Sequence, residues 1–135
     1  MARAAHVFEI QTRSKEEFVD LTPRLRTVVE QSGVQEGTLL VFCPHTTAGL
    51  TIQENTDPAL KKDILGALES MVPANRPYGH TEGNAPAHVK AALLGTSCTL
   101  VIDAGKLLLG RWQAIYLVEF DGPRDRMVQA KLFPA

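Results

Sequence analysis

The chain has 135 residues, with 14 lysines and arginines against 15 aspartates and glutamates and a formal net charge of -1. That length supports one domain spanning 1–135 with a real core, and the charge balance lacks the basic footprint of a dedicated nucleic-acid binder or a membrane-surface protein. The longest apolar runs, such as Leu39-Leu40-Val41-Phe42-Cys43, fall far short of the roughly 20 residues of a membrane span. Met1-Ala2-Arg3-Ala4-Ala5-His6 lacks the apolar core of a secretory signal. Cys43 and Cys98 lie in separate apolar runs, which predicts buried free thiols and a cytoplasmic location.

In chain order, residues 6–12 alternate apolar and polar and predict a half-buried strand. Ser14 with Glu17 reads as a capping box ahead of Phe18, Leu21, Leu25, Val28 and Val29, spaced for a helix that stops at Ser32-Gly33. Pro23 breaks the interior of that pattern, so the regular part is expected to start there with Thr22 as the cap. Two strands follow, over 38–43 and 49–54, with the His45 loop between them. Asp57-Pro58 supplies a cap and a first-turn proline for a helix whose stripe is Leu60, Ile64, Leu65, Leu68 and Met71.

From Pro73 to Pro86 the prolines, glycines and asparagines predict a long loop, then a short helix from about 87 to 94 ending at Gly95. Residues 99–103 read as a strand, 106–109 as its hairpin partner, 113–120 as a central strand, Gly122-Pro123 as a turn and 126–133 as a last strand. Strands outnumber helices, and the last three run on through short turns. The fold class expected is α+β, with largely antiparallel or mixed sheets packed on two to three helices.

Three of the four histidines fall in loops or at element ends beside polar groups: His45 in Pro44-His45-Thr46-Thr47-Ala48, and His80 and His88 flanking Glu82 and Asn84. A neutral imidazole ligates a divalent metal or moves a proton near neutral pH. His45, His80 and His88 are therefore a candidate three-ligand set for zinc or magnesium, whose charge would polarise a water or neutralise a phosphate. The spacing contains no His-x-His or His-x3-His pair, and the alternative is that His88 packs its helix while His45 bonds within its turn. Among the carboxylates Glu54, Asp57 and Glu82, Asp57 reads as a helix cap. Glu82 reads as a general base or a partner orienting an imidazole, with an ordinary solvated loop acid as the alternative. Thr46, Thr47, Gly83 and Asn84 offer donors to an anion, and Lys90 and Arg111 add charge. Against this, Gly83 suits a left-handed turn, Lys90 a solvated helix face, and Trp112 a core or interface position.

The ordered series Pro44-His45-Thr46-Thr47-Ala48, Glu54-Asn55-Thr56-Asp57-Pro58, His80-Thr81-Glu82-Gly83-Asn84, Ala87-His88-Val89-Lys90, Gly110-Arg111-Trp112-Gln113 and Glu119-Phe120-Asp121-Gly122-Pro123-Arg124 resembles the signature of the YjbQ family, also labelled secondary thiamine-phosphate synthase. The resemblance implies an α+β homotrimer with a polar cleft and a bound metal. It also implies a reaction joining an aminopyrimidine diphosphate to a thiazole phosphate with release of pyrophosphate. The chain departs from the family pattern at Arg111, where a threonine is usual, and at Thr96, where a proline is usual. Together these readings give catalytic candidates His45, Glu82 and His88, and substrate-binding candidates Thr46, Thr47, Asn84, Lys90, Arg111 and Gln113. The metal candidates are His45, His80 and His88, and the partner expected is a phosphorylated small molecule. The rival readings are a metal-dependent hydrolase using the same histidines and a non-catalytic metal- or metabolite-binding trimer.

Overall fold

The computed structural model describes residues 5–135, so the reading of residues 1–4 as part of a signal-free N-terminus lies outside it. The strands are β1 (His6–Gln11), β2 (Glu17–Asp20), β3 (Gly37–Phe42), β4 (Ala48–Glu54), β5 (Ser97–Asp103), β6 (Lys106–Leu108), β7 (Gln113–Glu119) and β8 (Asp125–Pro134). The helices are α1 (Thr22–Ser32), α2 (Pro58–Met71) and α3 (Ala85–Leu94). Every ladder is antiparallel, in a five-stranded sheet of order β1-β8-β3-β5-β6 and a three-stranded sheet of order β2-β7-β4. The α+β expectation therefore holds.

The two sheets face each other across the main core. Leu39 and Val41 of β3, Leu100 and Ile102 of β5, and Val128, Ala130 and Leu132 of β8 meet Leu50, Ile115 and Leu117 of the small sheet, with Leu25 and Val29 of α1. On the far side of the small sheet, Ala114, Tyr116 and Val118 pack against Leu68 of α2 and Ala87 and Ala91 of α3. Residues 114–120 are all buried because β7 is covered on both faces, which is why it reads as a continuous apolar run rather than an alternation. Among the described residues no helix is long and apolar enough to cross a membrane.

Four local expectations are corrected. Glu17 and Phe18 belong to strand β2, paired with Glu119 and Val118, and not to a helix. Glu17 still behaves as the capping-box acid, its carboxylate accepting from the Arg13 and Ser14 N–H groups, but the capped turn leads into a strand. The helix begins at Thr22 with Leu21 in the cap position, and Asp20 Oδ1 accepts the Thr22 N–H at 2.9 Å. Helix α3 begins two residues earlier than expected, because Pro86 fits its first turn. The last three strands are not neighbours either: β7 is central in the small sheet, while β6 and β8 lie in the large one.

Candidate functional site

Two crossovers between the sheets meet at one end of the molecule. The loop 43–47 carries the chain from β3 to β4, and the turn 120–124 carries it from β7 to β8. The register places Ala48 opposite Glu119, so both loops leave the small sheet side by side. The N-terminal turn of α3 closes the third side, where Asn84 Nδ2 donates to Asp121 Oδ2 at 2.9 Å. Gly122 is required here by space: a Cβ at that position would lie 2.3 Å from the Ser14 carbonyl oxygen and 2.8 Å from Glu119 Cγ.

These loops border an open cleft of about 300 Å3 lined by His45, Thr46, Thr47, Glu82, Asn84 and His88, together with Arg124 and Arg126. All three catalytic candidates and three of the six substrate-binding candidates are thus brought together. His45 is half-buried, and its Nε2 accepts the Met127 N–H at 3.0 Å. That bond requires the neutral ring with its proton on Nδ1. Burial first, and then the charge of Arg126, pushes the His45 pKa below its usual 6.5. His80 is exposed, and its ring lies 5.0 Å from that of His88, centroid to centroid.

The three histidines do not form a ligand set. His80 is not among the residues lining the cleft with His45, and the lone pair of His45 Nε2 is committed to the backbone. Among the described residues no group of three or more His, Cys, Asp or Glu side chains is gathered closely enough to hold an ion.

Other candidates fall elsewhere. Lys90 is buried, 2% exposed, with its ammonium 2.8 Å from Glu16 and 2.7 Å from Glu69, and it lines a separate cavity on the far side of Asn84. It is neither a solvated helix residue nor a free cation for the cleft. Arg111 is exposed over the Trp112 ring at 4.7 Å, and Gln113 Oε1 accepts the Gly110 N–H. Gln113 pairs with Glu54 at the opposite end of the small sheet from the Ala48–Glu119 pair, roughly 20 Å away at ~3.3 Å per residue. Glu54 lies at that end too, accepting from Thr56 Oγ1. Asp57 caps α2 through the Ala59 N–H.

The sequence reading missed the two arginines and the acid behind them. Glu119 is fully buried, and both its oxygens receive Arg126: Nε at 2.8 Å on Oε1, and Nη2 on Oε2. Arg126 Nη2 also donates to Thr47 Oγ1 at 2.8 Å and to the Thr47 carbonyl at 3.2 Å. Burial raises the Glu119 pKa, but hydrogen bonds from Arg126, the Asp121 N–H and Thr12 outweigh it and hold the carboxyl below its usual 4.5. Arg124 sits at the exposed mouth, paired with Asp121 at 2.9 Å. The signal was present in the alternation of β8: Arg126 occupies the same face as Val128, Ala130 and Leu132, a charge at a core position.

The arrangement presents two guanidiniums, a half-buried imidazole at His88 and hydroxyl and amide groups to one open cleft. That is the donor set of an anion site, with a carboxylate at Glu82 beside it. Comparison with known proteins gives a consistent assignment. Residues 6–135 match the family model described as UPF0047 protein YjbQ-like. A UPF0047 protein of Methanocaldococcus jannaschii is 46% identical over 93% of this chain and 91% of its own, and the UPF0047 protein YugU of Bacillus subtilis is 41% identical over 92% and 95%. The crystal structure of a yjbq/upf0047 family protein from Clostridium acetobutylicum superposes with a TM-score of 0.93 at 48% identity, covering 95% of this chain and 99% of that one. A protein of unknown function from Sulfolobus solfataricus gives 0.93 at 32% identity, covering 98% and 97%. The chain belongs to the YjbQ-like UPF0047 family.

Proposed function

We propose that the cleft is an active site for a phosphorylated small molecule. Arg124 and Arg126 hold the phosphate there, and His88 and Glu82 act on the reacting end. The observation that carries this reading is the convergence of both arginines with His45, His88, Glu82, Asn84 and the threonine pair on one cavity. Arg126 is held rigidly by Glu119 and Thr47, so its charge costs no reorganisation when an anion arrives. Arg124 is 49% exposed on its side chain and is free to exchange Asp121 for a ligand oxygen. The histidines as placed do not fit a three-imidazole metal site.

The transfer named by the family resemblance suits these groups. The thiazole nitrogen attacks the methylene carbon of the aminopyrimidine diphosphate, the new C–N bond forms as the C–O bond breaks, and the electron pair leaves with pyrophosphate. The nitrogen has no proton to lose, so the proton chemistry falls on the leaving group. His88 donates to the departing diphosphate, and Glu82 accepts a hydrogen bond from the pyrimidine amine. With water as the nucleophile the same groups would give a hydrolase, Glu82 taking the proton. We also propose a cytoplasmic homotrimer. Support for association comes from the outer face of the large sheet, where Val7, Phe42, Val101, Leu108 and Phe133 are each 40% or more exposed.

Pyrophosphate release tests the reaction. The purified chain incubated with both substrates is expected to release it, and Glu82→Gln and His88→Ala are each expected to lower the rate about 100-fold or more. Phosphate release from one ester alone would favour the hydrolase. Unchanged rates in both variants would remove the assignment.

A further inference from the structure

His45 and Arg126 form a wall with space on both sides. Beyond them lies a larger cavity of about 590 Å3, lined by Glu9, Gln11, Arg13, Arg24 and Asp125. The two spaces share His45 and Arg126 in their linings, so a ligand held on one side borders the other. Arg126 is built to serve both. Its Nε and Nη2 are consumed by Glu119 and Thr47, while Nη1 has no partner among the described residues and is not sealed from solvent. The Arg126 side chain is 98% buried, and its Nη1 edge is the part left open.

The first chamber, at about 300 Å3, sits at the lower limit of small-molecule sites. The second offers the room for an organic group. Its lining decides which kind: two guanidiniums, Arg13 and Arg24, are balanced by two carboxylates, Glu9 and Asp125, with Gln11 between the strands' ends. Arg24 is tethered to this rim by donating to the Glu9 carbonyl at 2.9 Å. The carboxylates oppose a second anion, and only Ile10 and Met127 offer apolar surface to a ring. An uncharged polyol fits best, because its hydroxyls donate to the carboxylates and accept from Gln11 and the guanidiniums.

We propose that the second chamber takes the hydroxylated carbon portion of a sugar phosphate whose phosphate lies on Arg124 and Arg126. The proposal rests on the phosphate-binding reading above and departs from the named transfer, putting a polyol in place of its aromatic rings. Calorimetric titration of the full chain with inorganic phosphate, propyl phosphate and ribose 5-phosphate tests it. Ribose 5-phosphate is expected to bind about tenfold tighter than propyl phosphate, the worth of one or two hydrogen bonds. In a Glu9→Ala/Asp125→Ala variant that ratio is expected to fall to about one while inorganic phosphate binds as before. Both positions are exposed, on β1 and β8, and Arg24→Ala, expected to narrow the ratio in the same way, is an independent second variant. Equal binding of the two esters by the unaltered chain overturns the proposal and leaves the phosphate reading standing. An unchanged ratio in both variants also overturns it. Failure of inorganic phosphate to bind at all overturns the phosphate reading, and this proposal with it.

Discussion

Arg126 and Glu119 occupy core positions on adjacent strand ends, 5% and 0% exposed. Their value lies in geometry more than in stability: a buried pair barely repays its desolvation, but removing one partner strands the other. Glu119→Gln is expected to lower the unfolding free energy by about 3 kcal/mol or more, measured by urea denaturation. The same carboxyl has its pKa held below 4.5 in the fold. A depressed folded pKa contributes stability above the unfolded value that is lost as pH falls through the folded one. His45 has the same sign below its usual 6.5. Acidification from pH 7 therefore first protonates His45, breaking its bond from the Met127 N–H, and later Glu119. A stability-against-pH curve is expected to fall in two stages, and His45→Gln is expected to flatten the upper one. Beyond the charge at a core position of β8, residue order does not announce the partners in this network, because Thr12, Thr47, Glu119 and Arg126 become neighbours only when strands from both sheets end together. The histidine and threonine side of the cleft was legible because 45–47 are contiguous and 82–88 nearly so.

Elements carry the site by how closely they approach one another. Helix α3 lies on β4 at Gly49, where an added Cβ would sit 2.9 Å from the Gly95 carbonyl and 3.1 Å from Leu94 Cβ. Gly49→Ala must push the helix outward, so a loss of about 1–3 kcal/mol is expected. His88 rides on that helix, and turnover is expected to fall as well. Lys90 fastens the same helix to Glu16 before β2 and Glu69 at the end of α2. Lys90→Met is expected to cost about 1–2 kcal/mol by thermal denaturation, the loss limited because Glu69 is half exposed and rehydrates. Helix α2 was readable from Asp57-Pro58 and its stripe because those signals are local. Strand β2 was not, since Phe18 and Leu21 fit helical spacing as well as a strand edge, and pairing with β7 decided between them.

For the whole molecule, alternation along each strand specifies which face of the large sheet is buried, but it is blind to which sheet a strand joins. Short links between β6, β7 and β8 do not specify which sheet each strand joins; the chain crosses to the other sheet and back. The return from β7 to β8 makes the site together with the β3–β4 crossover, since those two loops emerge at one end. The uncovered apolar face of the large sheet belongs to this scale too. Sedimentation velocity is expected to show a trimer, and Val101→Glu with Leu108→Lys is expected to shift it toward monomer, these two side chains being paired neighbours on that face. The cleft itself is tested most directly by following backbone amide resonances while inorganic phosphate is added. Saturable shifts centred on Thr46, Thr47, Asn84, His88, Arg124 and Arg126, abolished in Arg124→Ala, are the expected result; shifts centred on Arg111 and Gln113, or none at all, would contradict it.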